Sequence, residues 1–305
     1  MTKFIFDELT GEPTILATGR AKRTDQTGAV GEKPNGIGTV SPQGNICFFC
    51  KGHEAETPPT IYQDQDDWNV RVFDNKYKLV DDHEVIVHSP NHDKDIEDLD
   101  HEQVVKIIRA LLNRVHFYGS QEKEVFIFNN RGRKAGASLV HPHTQLIALR
   151  GFPGILQKEK EWSIRYYDEK NTCYWCDEYK KALEEGSRII LETSLFVAYV
   201  PLACRWSYEV RITPKNHKPN FGFIDESEIN NFAGILQRVT QAYGRAFNYP
   251  DRNFWIHTER WDPYHWHVGF LPHLKVFGAL ELGAGIWVSD KATPEDAAKL
   301  LRENI

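Results

Sequence analysis

The chain has no apolar run near the length of a membrane span, only five cysteines in 305 residues, and no excess of positive charge. A bilayer-spanning helix needs about 20 mostly apolar residues, so no membrane-embedded segment is expected. The stretch MTKFIFDELTGEP at the start lacks the apolar core of a signal peptide, and the expectation is a cytoplasmic protein. Five cysteines are too few for a disulfide framework in a chain of this length. A formal net charge of −6 speaks against a general nucleic-acid binder, although it leaves room for a local basic pocket. What remains, 41% hydrophobic and 26% charged residues, is the composition of a soluble globular protein with chain enough for one large domain or two ordinary ones.

Four of the cysteines stand as CxxC pairs, Cys47/Cys50 and Cys173/Cys176, a spacing that means metal or redox chemistry in a reducing compartment. Each pair heads the same series. His92 follows Cys50 by 42 residues and His217 follows Cys176 by 41; His141 lies 49 residues beyond His92, and His265 lies 48 beyond His217. The single histidines also sit in similar words, Ser-Pro-Asn-His-Asp and Thr-Pro-Lys-Asn-His-Lys. These spacings predict an internal duplication, with halves at 1–160 and 161–305, each an antiparallel sheet carrying one long helix in an α+β fold. Two thiolates and two imidazoles are the tetrahedral set that zinc prefers, which predicts two structural zinc sites: Cys47, Cys50, His92, His141 and Cys173, Cys176, His217, His265. A redox pair is the other reading of CxxC, but no thioredoxin-like βαβ setting surrounds either one. The two pairs are also too far apart for a zinc ribbon.

Period-two stretches predict strands at Trp68–Phe73, Glu84–His88, Val125–Phe128, Arg188–Glu192, Leu195–Val200, Tyr208–Thr213 and Phe254–His257. Helical stripes run through Val104, Ile107, Ile108, Leu111, Leu112 and Val115, and through Ile229, Phe232, Ile235, Leu236 and Val239. Asp100 and Asp225 are the expected N-caps, with Gln103 and Glu228 in capping-box position. Residues 151–171 read as a polar connecting segment.

The stretch NNRGRKAGASLVHPHTQLIAL, residues 129–149, is the chemical centre of this reading. An extended His141-Pro142-His143 places two imidazoles on one face, and Pro142 stiffens the backbone between them. A surface strand with two solvated histidines is the plain alternative for any lone HxH. If His141 binds metal, His143 is held beside it and free for chemistry. The glycine-rich basic loop Arg131–Gly136 precedes His143 and Thr144-Gln145 follows it, whereas His267 lies between Asp262-Pro263-Tyr264 and Val268-Gly269-Phe270. Only the first copy therefore shows polar groups around its second histidine. His143 reads as reactive and His267 as a counterpart retired to packing.

These residues resemble the galactose-1-phosphate uridylyltransferase family of the histidine triad superfamily. The resemblance runs over nearly the whole chain: Leu9-Thr10-Gly11, Arg20-Ala21-Lys22-Arg23, the first CxxC, Val72-Phe73-Asp74-Asn75, Ser89-Pro90-Asn91-His92, Asn130-Arg131-Gly132, Ser138, His141-Pro142-His143-Thr144-Gln145 and Thr293-Pro294-Glu295-Asp296. It implies a ping-pong nucleotidyltransferase in which His143 takes the nucleotidyl group of a nucleotide sugar. It further implies that Gln145 hydrogen-bonds the phosphoryl oxygens, Ser138 the leaving or entering phosphate, Arg20 and Arg23 phosphates, and Asn75 and Asn130 the nucleotide. A homodimer is implied, with Lys275 and Glu281 on a C-terminal loop that contacts the sugar. The favoured activity is UDP-glucose:hexose-1-phosphate uridylyl transfer in galactose metabolism. The second CxxC set and the tail Phe277–Gly285 look more like the two-zinc branch that includes ADP-glucose phosphorylase, in which AMP passes from ADP-glucose to phosphate. A triad hydrolase would carry a histidine where Gln145 stands. A non-enzymatic zinc module binding RNA on aromatic platforms is the other class; the acidic charge and the unequal HxH surroundings weigh against it.

Overall fold

Twelve strands and six α-helices form among residues 4–22 and 47–305, the part of the chain described by the computed structural model. β1 (Phe4–Phe6) and β2 (Pro13–Ile15) make a separate hairpin. The first half contains β3 (Thr60–Gln63), β4 (Arg71–Asp74), β5 (Asp82–Val87), α1 (His101–Gly119), β6 (Glu124–Arg131) and β7 (His143–Leu149). α2 (Ile155–Lys170) and α3 (Tyr174–Glu185) lead into β8 (Ile189–Glu192), β9 (Phe196–Tyr199), β10 (Val210–Pro214), α4 (Glu226–Phe247), β11 (Arg252–His257) and β12 (His267–Pro272). α5 (Ala279–Ala284) and α6 (Pro294–Glu303) follow.

The two halves repeat one strand order. β3-β4-β5-β7-β6 is followed, in reverse, by β11-β12-β10-β9-β8, and antiparallel pairing of β6 with β11 joins both into a single ten-stranded sheet. Period two then sorts the side chains. Ile86, Leu146, Ile127, Ala198, Ile256 and Val268 face one large core with α1, α4 and α6. Their neighbours turn to the other face, where Phe73, Val85 and Val87 pack around Cys47 and Cys50, and Val197 and Tyr199 around Cys173 and Cys176. Each CxxC is thus held in its own small apolar cluster on the face away from the long helices.

α1 and α4 form where their apolar stripes predict. The Asp225 carboxylate accepts from the N–H groups of Ser227 and Glu228 while Glu228 returns a bond to the Asp225 N–H, completing the box. At α1 the Asp100 cap forms, but Gln103 reaches away to the carbonyls of Asn69 and His88 at 2.9 and 2.6 Å, so the expected box is only half present. Residues 151–171 are not a linker: they contain α2, and the second CxxC opens α3. α2 buries a single residue, Ser163, so it carries no apolar stripe by which a helix could be read.

Candidate active site

His141 precedes β7 and His143 begins it, so the strand delivers the two histidines to one end of the sheet. The His141 Nε2–H donates to the Ser89 carbonyl at 2.9 Å, which leaves Nδ1 toward Cys50 Sγ at 3.5 Å and Cys47 Sγ at 3.6 Å; His92 Nδ1 lies 3.3 Å from Cys50 Sγ. The hydrogen bond from Cys50, with His141 and His92 alongside, holds the Cys47 thiol well below its usual range. The second set repeats this. His265 donates through Nε2 to the Pro214 carbonyl, His217 Nε2 pairs with Asp262, and both turn Nδ1 to Cys176 at 3.3 and 3.4 Å. Either set could hold a metal ion: each brings four ligand atoms within 4.8 Å of one another, and its outer acceptors fix the imidazole tautomers.

His143 lies beside the first set and lines an open cleft together with Phe49, Ser138 and Gln145. Its Nδ1–H donates to the His141 carbonyl at 2.8 Å, so Nε2 is the nitrogen with a free lone pair. Burial pushes the imidazole down to about 4, which keeps it neutral near pH 7. Phe49, from inside the first CxxC, packs edge-on against the ring at 5.2 Å.

The cleft has an apolar wall of Phe48, Phe49, Pro58, Phe73, Val85 and Leu139, and Arg20, Asn75, Ser138 and Gln145 also line it. Gln145 is fixed by a residue the sequence reading missed. The Leu79 N–H donates to His83 Nδ1 at 2.9 Å, so His83 carries its proton on Nε2 and donates it to Gln145 Oε1 at 3.0 Å. Asn75 Nδ2 donates to the same oxygen at 3.3 Å. The Gln145 Nε2 hydrogens are the part of the amide left for a ligand. His83 could have been found by parity, since it shares the cleft face of β5 with Val85. Arg20 donates to the Tyr77 carbonyl.

The glycine-rich loop that leads to Ser138 is held by the second half of the chain. Asp251 Oδ2 accepts from the Lys134 N–H at 2.7 Å, and Asn253 Nδ2 donates to the Ala135 carbonyl at 3.0 Å and to Asn130 Oδ1 at 2.7 Å. Gly132 has φ +82°, and a Cβ there would fall inside the Asp251 carboxylate. Gly132→Ala is therefore expected to cost on the order of 2 kcal/mol or more. The loss is read as a lower denaturant midpoint.

Asn130 supports this loop without lining the cleft. Lys275 and Glu281 pair with each other at 3.2 Å and are likewise not among the residues lining it in this chain. Arg23 lies outside the described residues.

The second copy is built differently at matching ladder positions. In the first half Phe73 faces Val85 and Val85 faces Gln145; in the second Tyr199 faces Arg211 and Arg211 faces Gly269. Trp175 lies flat on His267 at 3.9 Å, and the Trp255 ring occupies the space that a side chain at Gly269 would need. Large side chains thus fill the volume that is open cleft beside His143. The expectation that His267 has no polar surroundings is corrected, because Glu159 from α2 accepts from His257 and Tyr264 at 2.8 and 2.9 Å. Glu159, His257 and His267 bring three ligand atoms within 4.8 Å, a third group that could hold a metal. Glu159 lies about 100 residues from its partners on a helix that was not anticipated, so nothing local announced it.

The family profile described as "Galactose-1-phosphate uridyl transferase, N-terminal domain" matches residues 61–153. ADP-glucose phosphorylase of Arabidopsis thaliana is 29% identical over 97% of this chain and 91% of its own length. The galactose-1-phosphate uridylyltransferase of Thermotoga maritima is 31% identical over 72% of this chain and 73% of its own. A crystal structure of an Arabidopsis thaliana ADP-glucose phosphorylase with bound ADP-glucose superposes with a TM-score of 0.78 at 26% identity, covering 99% of both chains. Fold, site and likenesses together define an enzyme of the nucleotidyltransferase class, built on a duplicated antiparallel α+β fold. The chain belongs to the galactose-1-phosphate uridylyltransferase family.

Proposed function

We propose that the protein transfers a nucleotidyl group from a nucleotide sugar through a covalent adduct on His143. The observation that carries this is the imidazole itself: buried, neutral, anchored through Nδ1–H to the His141 carbonyl, with Nε2 open to the cleft. Nε2 attacks the α-phosphorus. A P–N bond forms, the bond from that phosphorus to the bridging oxygen breaks, and the sugar 1-phosphate leaves. An acceptor phosphate oxygen then attacks the same phosphorus and frees His143. The Gln145 amide hydrogens, Ser138 and Arg20 serve the phosphoryl oxygens, where fixed donors contribute most to such transfers. Asn75 orients Gln145, and Asn130 supports the loop. Arg23, and a partner subunit's C-terminal segment with Lys275 and Glu281, complete the reading of the site.

Zinc fits both Cys2His2 sets by donor chemistry, and when bound it supplies a structural cross-link beside each HxH. We read the chain as two halves, 1–160 and 161–305, that act as one unit, and as a homodimer. Val276, Leu282 and Trp287 on the C-terminal segment are exposed apolar surface suited to a second copy.

Family membership favours UDP-glucose and a hexose 1-phosphate as substrates. The full-length likeness to ADP-glucose phosphorylase favours a second reading, AMP transfer from ADP-glucose to phosphate. Paired assays decide between them. Exchange between UDP-glucose and galactose 1-phosphate without phosphorolysis of ADP-glucose supports the first, and the reverse pattern supports the second. Activity with neither pair overturns both donor assignments.

A further inference from the structure

Behind His143, on the sheet face turned away from the cleft, lies a polar set whose burial is costly. His88, Asp95, Asn129, Thr144 and Arg252 are at most 4% exposed. Asp95 can only accept, so His88 Nδ1 carries its proton toward it at 3.2 Å, and His88 Nε2 shares a 2.7 Å bond with the Thr144 hydroxyl. The other Asp95 oxygen accepts from Arg252 at 3.0 Å. Asn129 Nδ2 donates to the His143 carbonyl at 2.8 Å, with its Oδ1 buried and unpartnered.

The backbone of the His-Pro-His segment is consequently held at every step. The His141 carbonyl accepts from His143 Nδ1, the Pro142 carbonyl from the His88 N–H at 3.1 Å, and the His143 carbonyl from Asn129; the next side chain, Thr144, is tied to His88. A buried polar network of this kind stabilises less than well-packed apolar residues of the same volume. The second copy shows that the fold does not demand it. Asn129 faces Thr144 across the β6–β7 ladder, and at the matching place in the β11–β12 ladder Ile256 faces Val268, both fully in the apolar core. The polar version stands only behind the histidine with an open cleft.

We propose that Thr144, Asn129 and the His88–Asp95 pair are positioning residues that fix the backbone from His141 to Thr144 and so aim the His143 imidazole at the phosphorus. This rests on the reading of His143 as nucleophile. A displacement of about 1 Å at a reacting group costs roughly 100-fold in rate. Four hydrogen bonds on four consecutive residues oppose such a displacement.

Thr144→Val and Asn129→Ile each import the second copy's own residue, and Thr144→Ser keeps the hydroxyl. The full-length protein is mixed in single turnovers with labelled UDP-glucose and, separately, ADP-glucose, and label on the chain is followed over time. T144V and N129I are expected to slow adduct formation and kcat about 10- to 100-fold with KM within about threefold, while T144S stays within about threefold of wild type. Wild-type rates in T144V and N129I overturn the proposal and leave the nucleophile reading intact, because adduct still forms. Equal impairment in T144S and T144V, or a raised KM at unchanged kcat, also overturns it. If one variant does not fold, the other decides with T144S. If neither folds, the network is a requirement of the fold and the proposal falls. No label on the wild-type chain from either donor removes the His143 reading and this inference with it.

Discussion

Replacing His143 by alanine is expected to lower nucleotidyl transfer about 10,000-fold or more, with metal content and fold unchanged. A loss of that size is roughly 5.5 kcal/mol of transition-state stabilisation. It follows from the division of labour at the end of β7. His141 turns Nδ1 to the cysteines, and His143 turns Nε2 to the cleft. The two imidazoles are not interchangeable, because His141 is committed through Nε2–H to the Ser89 carbonyl. Alanine leaves the cleft and the polar groups proposed to bind the phosphoryl oxygens in place, so donor binding should survive while both half-reactions stop. Steady-state kcat and KM with the active donor–acceptor pair check this; a His143→Ala protein within tenfold of wild type would remove the nucleophile from the account.

The second large effect concerns the metal sets, and it should differ between them. The native chain is expected to carry about two zinc ions, and Cys47→Ser or Cys173→Ser about one each, by metal analysis of the purified protein. Either loss should cost more than about 4 kcal/mol, the range in which removal of a metal stands out, and lower Tm by roughly 10 °C or more. Activity separates the two. The first set holds His141, whose carbonyl anchors His143, and Phe49, whose ring packs on it. Cys47→Ser should therefore abolish transfer even below its melting temperature. The second set lies in a separate apolar cluster around Trp175 and Tyr179, and Cys173→Ser should keep activity within about tenfold at low temperature. Equal activity losses in both variants would contradict the structural asymmetry described above.

The two Cys2His2 clusters were legible because each member sits at a nearly constant distance along both copies, and the histidines stand in recurring words. The long helices were legible because α1 and α4 bury one stripe against the sheet, with Asp100 and Asp225 as caps. α2 left no such mark. Solvent surrounds it on nearly every side, yet it delivers Glu159 to His257 and Tyr264. The merger of two half-sheets was also hidden, since backbone bonds between β6 and β11 require no particular side chain. His83 was not singled out in the sequence, and Asn129 and Thr144 stood there only as members of the stretch around His143; the ladder registers show what each one touches. Arg20, Asn75 and Ser138, named from a resemblance, meet His143 and Gln145, read from the residues themselves, around one cleft, whereas Asn130, Lys275 and Glu281 do not line it within this chain.

The central claim is a covalent nucleotidyl-His143. The most direct measurement is to incubate the purified, zinc-loaded protein with α-phosphate-labelled UDP-glucose and, in a parallel sample, ADP-glucose, then denature it in alkali and count label on the chain. The account predicts label from at least one donor, stable in alkali, lost in acid as a phosphoramidate is, and absent from His143→Ala. Folded protein that carries no label from either donor, or label that persists in His143→Ala, would contradict it.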